Sequence, residues 1–249
     1  MTKRVAIVTG GGSGIGRSTS LALASKGFSI VIADLDDSAA RSVCTEIARS
    51  GGAATSVECD VSTEDGWRSI VSHVEKFGRL ETLISNAGIF PRLSFEQSSA
   101  RDFDRIVGVN LRAAFLGAKA CVPLIHNAGG GALVFITSGS GTIAQASNPM
   151  QLGFSLYGAS KAALDRWALG VAPELAPRGI AVNILCPGAP VHTDGFNALR
   201  LGSEAPSTSI SAEHVAAAVA NLAVARPPET TGGRYLATEF GTSWGPSEN

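Results

Sequence analysis

The sequence has few charged and few aromatic residues, and this narrows the classes of protein to which it can belong. Charged residues make up 16% and aromatic residues 6% of its 249 positions, and the formal net charge is -1 at pH 7. With so little excess charge, we expect neither nucleic acid nor an anionic membrane surface as a partner. The hydrophobic content of 45% is that of a globular chain and excludes a disordered one.

Long apolar runs are also missing from the sequence. No run reaches the roughly 18–20 residues that a membrane-spanning helix needs. The apolar stretch 5–8, which follows the basic start at Lys3 and Arg4, is too short for the core of a signal peptide. We therefore expect a cytoplasmic protein whose single domain covers residues 1–249.

The cysteines and histidines lack the spacings of disulfide frameworks and metal sites. No C-x-x-C pair is present, and no histidine stands at a metal-ligand spacing from another. We expect reduced thiols and no bound metal. The residues concerned are Cys44, Cys59, Cys121, Cys186, His73, His126, His192 and His214.

What the sequence does contain is an alternation of short β-branched runs with longer helical segments. Predicted strands cover 5–9, 28–33, 54–58, 82–85, 132–137 and 180–186. Predicted helices cover 14–26, 37–50, 63–77, 100–127 and 156–176. The strands are apolar throughout, which is typical of a parallel sheet covered on both faces. This order predicts an α/β fold with a doubly wound sheet.

A glycine-rich turn at 9–16 follows the first predicted strand. It reads T-G-x-x-x-G-x-G, because Ile15 stands where the third glycine of G-x-G-x-x-G would fall. Gly10, Gly14 and Gly16 allow the helix to begin close to a phosphate group. The turn therefore predicts a dinucleotide site, with a plain tight turn as the alternative.

Asp34 ends the second predicted strand, eighteen residues after Gly16. This is the offset expected for an acid that binds the ribose hydroxyls of a dinucleotide. A 2′-phosphate there would place like charges side by side. Arg17 could favour NADP, but no basic residue follows Asp34, so NAD is favoured over NADP. A turn-forming role for Asp34 is the alternative.

Tyr157 and Lys161 are four residues apart in a predicted helix and so share one face of it. An ammonium close to the phenol would favour its ionised form and lower its pKa by about two units from the ordinary value near 10. The pair then predicts a general acid and base that works at neutral pH. An exposed tyrosine and lysine on an amphipathic helix is the alternative.

Several motifs occur in one order along the chain: the glycine turn, Asn86-Ala87-Gly88, Asn110, Ser138 and Tyr157-x-x-x-Lys161. In this order the sequence resembles the short-chain dehydrogenase/reductase superfamily, in its compact NAD(H)-dependent branch, over about residues 3–235. The resemblance implies a single-domain Rossmann fold, with a parallel sheet of about seven strands and helices on both faces.

The resemblance also implies four catalytic side chains. Tyr157 would be the general acid and base, and Lys161 would hold the nicotinamide ribose and lower the tyrosine pKa. Ser138 would bind the substrate oxygen, although Ser140 is an alternative because Ser138 lies farther from Tyr157 than the family usually shows. Asn110 would position a water behind the lysine. A turn hydroxyl and a helix-interior amide are the plainer interpretations of Ser138 and Asn110.

A larger set of residues is implied to contact the cofactor. Asp60 and Val61 would lie along the adenine, and the segment 187–193 would contact the nicotinamide carboxamide. Because Pro190 has no N–H, Val191 is expected to supply the backbone contact. The whole set is Gly10, Ser13, Gly14, Ile15, Gly16, Asp34, Leu35, Asp60, Val61, Asn86, Ala87, Gly88, Tyr157, Lys161, Pro187, Gly188, Val191 and Thr193.

The resemblance implies an NAD-dependent oxidoreductase that interconverts a secondary alcohol and a ketone. One alternative is a 3-oxoacyl reductase acting on a carrier-bound or CoA thioester, with Arg92, Arg101 and Arg105 as a docking surface. Another is a Rossmann binding module that has lost catalysis.

The remaining expectations concern loops and assembly. The polar stretches 139–155 and 188–211 follow predicted strands, so we expect them to form the walls of a substrate pocket. Arg92 and His192 are the charged candidates there. We expect Phe240 and Trp244 to reach a neighbouring subunit or the pocket. The family resemblance implies a homotetramer, with a dimer as the alternative, formed through the helices at 100–127 and 156–176.

Overall fold

The computed structural model of the chain describes residues 3–142, 152–197 and 209–246. The greater part of the expected loop at 139–155, and the middle of the expected lid at 188–211, lie outside these residues. The end of the tail, 247–249, also lies outside them.

Seven parallel strands form one sheet in the order β3-β2-β1-β4-β5-β6-β7. The chain leaves β1 towards β2 and β3, and then returns to add β4 on the other side of β1. This reversal opens a crevice at the carboxyl ends of β1 and β4. The strands are β1 (Arg4–Thr9), β2 (Ser29–Asp34), β3 (Ala53–Glu58), β4 (Arg79–Ser85), β5 (Gly131–Ile136), β6 (Ile180–Cys186) and β7 (Arg234–Leu236).

Helices cover both faces of the sheet, and each face has its own hydrophobic core. On one face the core joins the sheet to α1, α2 and α8, and on the other it joins the sheet to α3, α5 and α6. The predicted doubly wound sheet is confirmed. The helices are α1 (Gly14–Ser25), α2 (Asp37–Arg49), α3 (Glu64–Phe77), α4 (Ala100–Val107), α5 (Ala113–Asn127), α6 (Ser155–Leu175), α7 (Asp194–Asn197) and α8 (Ala212–Leu222).

The helix predicted at 100–127 is not one regular α-helix. A π-helical turn, Gly108–Arg112, separates α4 from α5. Such a turn widens the helix by one residue and often marks a functional site. It carries Asn110, one of the predicted catalytic residues, into the interior of the protein, where the residue is 2% exposed.

From the sequence we expect no segment long and apolar enough to cross a membrane, but the helical stretch Ala100–Asn127 meets that criterion in the structure. The mean hydropathy of its apolar 18-residue window is 1.3, and within the described part of the chain it is the one helix long and apolar enough for a span. Of its apolar window, 44% is buried inside the protein. Small residues such as Ala114, Gly117 and Ala118 form that buried face. The core helix of a globular protein meets the same criterion.

The tail after β7 packs on its own chain, and Phe240 and Trp244 lie outside the described cavity lining. The expectation that they reach the pocket is therefore wrong for the described residues, and contact with a neighbouring subunit stays a prediction. The Trp244 ring lies 4.7 Å from that of Tyr235 and 4.9 Å from that of Phe240, measured between ring centres. The Trp244 indole N–H donates to the Leu236 carbonyl at 2.8 Å. Phe240 also stacks edge-on against His214 of α8. The tail thus covers the edge of the sheet beside β7.

Candidate active site

A cavity of about 810 Å³ opens at the carboxyl ends of the strands, where the sheet topology places the crevice. It extends from Asp34, at the end of β2, to Tyr157 and Lys161 on α6. Of the predicted site residues, all but Gly16 and Asn110 line it. The sequence-based set is therefore one continuous surface in the structure.

Gly16 lies beneath this surface and permits the turn between β1 and α1. A Cβ atom there would lie 1.9 Å from the Gly10 carbonyl oxygen and 2.6 Å from Nδ2 of Asn86. Backbone at that distance cannot yield to a side chain, so glycine is required. Gly16 does not line the described cavity, and its predicted role in bringing the helix close to a phosphate stays a prediction.

The first residues of α1 face the cavity with no side chain capping them. Ser13 is the N-cap residue and its hydroxyl makes no capping hydrogen bond. Ser13, Gly14 and Ile15 all line the cavity. The free N–H groups and the positive end of the helix dipole suit the pyrophosphate of a dinucleotide. The residues present therefore fit a bound NAD or NADP.

Thr9 and Asn86 hold the glycine turn against the end of β4. The Thr9 hydroxyl oxygen accepts hydrogen bonds from the backbone N–H groups of Asn86 and Ala87, both at 3.0 Å. In return, the Asn86 amide donates to the carbonyls of Thr9 at 2.9 Å and Gly10 at 3.1 Å. Sequence reasoning did not assign a role to Thr9. Its position as the last residue of a strand directly before the turn was the available signal.

Asp34 faces the cavity and is also tied to the glycine turn. Its carboxylate accepts the N–H of Gly12 at 2.9 Å and the N–H of Asp36 at 3.1 Å. Arg17, the candidate for binding a 2′-phosphate, is occupied by the carboxylate of Glu46 at 2.7 Å. Arg17 does not line the cavity. The charge at this end of the described cavity is therefore negative.

Ser138, Tyr157 and Lys161 meet at the other end of the cavity. The Ser138 hydroxyl hydrogen-bonds the phenol of Tyr157, and its oxygen accepts the N–H of Ser140 at 3.1 Å. Lys161 donates from Nζ to the carbonyl of Ile136 at 3.0 Å, and Nζ lies 6.0 Å from the centre of the Tyr157 ring. Since Ser138 contacts the phenol, the geometry favours it over Ser140 as the partner of Tyr157.

The electrostatics of Tyr157 differ from the sequence expectation. Burial raises the pKa of the phenol above its ordinary value of 10.0, and the hydrogen bond from Ser138 opposes this only in part. Burial also lowers the pKa of Lys161 to about 8, against the opposing charge of Asp165. The expectation that Lys161 lowers the tyrosine pKa is wrong for the protein alone, because desolvation of the phenol dominates.

Asn110 acts as a tether between two parts of the site. Its side-chain oxygen accepts the N–H of Ile89 at 2.8 Å, and its amide donates to the Ile89 carbonyl at 2.9 Å. The same amide donates to the Ser160 hydroxyl of α6 at 3.0 Å. Asn110 thus fixes the segment after β4 relative to the helix that carries Tyr157 and Lys161. Water positioning by Asn110 stays a prediction.

The segment after β6 lines the cavity, and its expected contact with the nicotinamide stays a prediction. Ile210 donates to the Pro190 carbonyl at 2.9 Å and accepts from the His192 N–H at 3.3 Å. These two bonds pair Ile210 with the residues on either side of Val191, so the Val191 N–H takes no part in them. Val191 also lines the cavity. Its N–H is therefore not used in this pairing, and the expected contact with the carboxamide stays a prediction.

Neither of the expected charged candidates lines the cavity. Arg92 donates from Nε to the Leu152 carbonyl at 3.2 Å, and His192 hydrogen-bonds Ser209. Both side chains lie outside the described lining. The expectation that they supply charge to a substrate is wrong for this part of the wall, because each side chain contacts another loop.

Fold and site together define a dinucleotide-binding oxidoreductase, with a parallel sheet and a Ser-Tyr-Lys group at one end of the cleft. The chain matches the short chain dehydrogenase family over residues 4–203. It belongs to that family, whose members bind NAD or NADP.

Two curated relatives and one solved structure illustrate the range of the family. A 2,5-dichloro-2,5-cyclohexadiene-1,4-diol dehydrogenase of Sphingobium indicum is 37% identical over 186 residues, 74% of this chain and 72% of the relative. A 3-oxoacyl-[acyl-carrier-protein] reductase of Synechocystis is 35% identical over 202 residues, 80% of this chain and 79% of the relative. A putative NAD(P)-dependent gluconate 5-dehydrogenase of Beutenbergia cavernae, whose structure holds NADP at low occupancy, is 28% identical. The two structures align with a TM-score of 0.84, and the alignment covers 94% of each chain.

Proposed function

We propose that this chain is an NAD-dependent oxidoreductase that interconverts a secondary alcohol and a ketone. The observation that carries the proposal is the hydrogen bond between Ser138 and Tyr157 at the end of a cavity of dinucleotide size. Lys161 stands behind the phenol on the same helix face. A hydroxyl or carbonyl oxygen that binds between Ser138 and Tyr157 has a proton donor and acceptor in contact with it.

Each residue of the group has a distinct task. The Ser138 hydroxyl holds the substrate oxygen, and the Tyr157 phenol exchanges the proton. A bound nicotinamide supplies the hydride acceptor or donor. Because burial keeps the phenol protonated, it is ready to protonate a ketone oxygen during reduction. In the oxidation direction the phenolate is needed, so the rate should rise with pH until the phenol has ionised.

NAD is proposed over NADP because of Asp34. Its carboxylate faces the cavity at the end where the adenosine ribose would lie, and Arg17 is paired with Glu46. A 2′-phosphate within about 4 Å of the carboxylate would cost on the order of 1–4 kcal/mol. The two ribose hydroxyls of NAD, by contrast, can donate hydrogen bonds to it.

A 3-oxoacyl-thioester reductase is the second candidate. The Synechocystis relative, which is a 3-oxoacyl-[acyl-carrier-protein] reductase, supports it. Arg92 is tied to the Leu152 carbonyl and lies outside the described cavity lining, as do Arg101 and Arg105. A non-catalytic module is disfavoured, since such a chain has no use for the Ser138–Tyr157 contact.

We also propose a homo-oligomer, a tetramer or a dimer, formed through α5 and α6. Phe115 of α5 is 45% exposed, and its ring lies 6.1 Å from that of Trp167 on α6. An exposed phenylalanine that packs against a partly buried tryptophan of the next long helix suits the centre of a helix–helix interface. Light scattering coupled to size-exclusion chromatography measures the subunit number directly.

The test of the proposed reaction is NADH formation from a panel of secondary alcohols, read at 340 nm, together with 3-hydroxyacyl thioesters as a separate arm. Oxidation of simple alcohols with NAD supports the proposal. Preference for the thioesters would instead favour the second candidate. NAD binding without turnover of any compound would support the non-catalytic module.

A further inference from the structure

Three phenylalanines, Phe90, Phe154 and Phe196, line the part of the cavity around Tyr157, and we name them the aromatic wall. The ring centre of Phe90 lies 5.9 Å from that of Tyr157, with 55° between the ring planes. The ring centre of Phe154 lies 6.3 Å from that of Tyr157, at 69°. The phenol of Tyr157 therefore has an aromatic ring on each of two neighbouring elements.

Phe90 is held in place by contacts other than that with Tyr157. Phe90 follows β4 and comes directly after Ile89, whose backbone is tied by Asn110. Phe154 is the N-cap residue of α6. In α7, a Cβ atom on Gly195 would lie 3.4 Å from the Phe90 ring, so this short helix packs against it. Rings fixed in this way offer a preformed apolar surface.

Among the described lining residues, charge near the aromatic wall is scarce and of the wrong sign for an anionic substrate. Lys161 is the one cation among the described lining residues, and it is buried and bonded to the Ile136 carbonyl. Asp34 and Asp60 lie at the β2 and β3 end. Asp194, which begins α7, adds a carboxylate near Phe196. A carboxylate or phosphate on the substrate would thus be desolvated without a free cationic partner among the described lining residues.

We propose that the substrate is an uncharged secondary alcohol, or the matching ketone, whose reacting carbon lies in or next to a ring that packs between Phe90 and Phe154. This inference rests on the proposed function, because Tyr157 marks the position of the reacting carbon. Aromatic and alicyclic rings pack well against phenylalanine edges and have little conformational freedom to lose. An acyclic polyol or an acyclic hydroxy acid lacks a ring to pack against the phenylalanines and has more conformational freedom to lose.

The test compares three alcohols that share the reacting group, each with NAD as the acceptor. The compounds are 1-phenylethanol, 2-butanol, which lacks the ring, and mandelate, which carries the ring and a carboxylate. We expect kcat/KM for 1-phenylethanol to exceed that for each of the other two by about tenfold or more. Equal or faster oxidation of 2-butanol or mandelate would overturn the substrate class and leave the proposed function standing. If no alcohol is oxidised while NAD still binds, both proposals fail.

Variants of the aromatic wall test whether its rings cause the expected preference for 1-phenylethanol. Phe90→Ala and Phe154→Ala should each lower kcat/KM for 1-phenylethanol by about tenfold, mainly by raising KM. The same variants should change kcat/KM for 2-butanol much less. Phe95→Ala removes a ring that is 86% exposed and outside the cavity, so it should change neither. Phe90→Leu and Phe154→Leu keep apolar volume, and NAD affinity reports whether each variant is folded. An equal loss for both alcohols in the folded leucine variants would contradict the inference.

Discussion

The carboxylate of Asp34 accepts the N–H of Gly12 at 2.9 Å while it faces the cavity. One side chain thus joins the end of β2 to the glycine turn and sets the charge where the adenosine ribose would lie. Any change at Asp34 acts on cofactor choice and on the turn together.

Replacing Asp34 by Asn should shift cofactor preference towards NADP. The change removes the negative charge and keeps an oxygen that can accept the Gly12 N–H. We expect the ratio of the NADP to the NAD dissociation constant to fall by about tenfold, which is the lower part of the range for one charge pair. Titration with both cofactors measures this ratio. Asp36→Asn, two residues on and outside the cavity lining, is the control. Tighter binding of NADP than NAD by the unaltered protein would contradict our assignment of cofactor.

The buried ammonium of Lys161 should make stability depend on pH. Burial lowers its pKa from 10.5 to about 8, so between these values the unfolded chain binds more protons and stability rises with pH. Below pH 8 Lys161 is charged in the folded protein, and its burial then lowers the free energy of unfolding by on the order of 3 kcal/mol. Tyr157, whose pKa is raised, acts in the opposite direction above pH 10. The four thiols, whose pKa values burial raises from 9.0, do so above about pH 9, so the contribution of Lys161 is read from the difference between parent and variant.

Lys161→Met removes this ionisation. We expect the variant to be more stable than the parent at pH 7, and we expect this difference in the free energy of unfolding in urea to shrink as the pH rises from 8 to 10. A parallel pH dependence in parent and variant would mean that Lys161 is not the group responsible.

Gly16→Ala should abolish cofactor binding and destabilise the fold. The new Cβ would meet the Gly10 carbonyl oxygen at 1.9 Å, so the turn between β1 and α1 has to move. We expect a loss of more than 3 kcal/mol in the free energy of unfolding, roughly the size seen for severe overpacking. Gly27→Ala is the control, because φ is +81° there but no atom lies within 4 Å. It should cost only about 1–2 kcal/mol. Similar stability in both variants would contradict the packing argument.

Asn110→Ala should weaken the site through its geometry. It leaves the Ile89 N–H and carbonyl, and the Ser160 hydroxyl, without their present partner. We expect a cost of about 1–3 kcal/mol in unfolding free energy, with a rise in KM for the substrate as Phe90 loses its support. Asn127→Ala, at the exposed end of α5, should change stability by less than about 0.5 kcal/mol. A normal KM in the Asn110 variant would show that the tether does not position the site.

Much of the fold and of the candidate site follows from local sequence signals. Apolar β-branched runs located five strands to within one residue of their ends, because such runs are buried on both faces of the sheet. The sixth, β4, begins at Arg79, three residues before the predicted start. The glycine turn and Asp34 could be placed because they follow strands directly. The cavity then brings together residues as distant as Asp34 and Tyr157.

Other features depend on contacts that no local pattern carries. β7 is only three residues long and becomes a strand by pairing with β6. The π-turn that carries Asn110 lies within a sequence of ordinary helical composition. The pKa of Tyr157 depends on how deeply α6 is buried, and spacing along the helix does not reveal this. Nor does the sequence show that Phe90 and Phe154 flank the phenol.

The most direct test of the account is the turnover of Tyr157→Phe. The variant keeps the ring that contacts Phe90 and Phe154 and removes only the hydroxyl that exchanges the proton. We expect kcat to fall by about 10²–10⁴, the usual contribution of one acid–base group, with the NAD dissociation constant unchanged. Tyr235→Phe, which alters the other of the two tyrosines and lies against Trp244 in the tail, should keep normal turnover. Near-normal turnover by Tyr157→Phe would contradict the central claim that this phenol carries the proton.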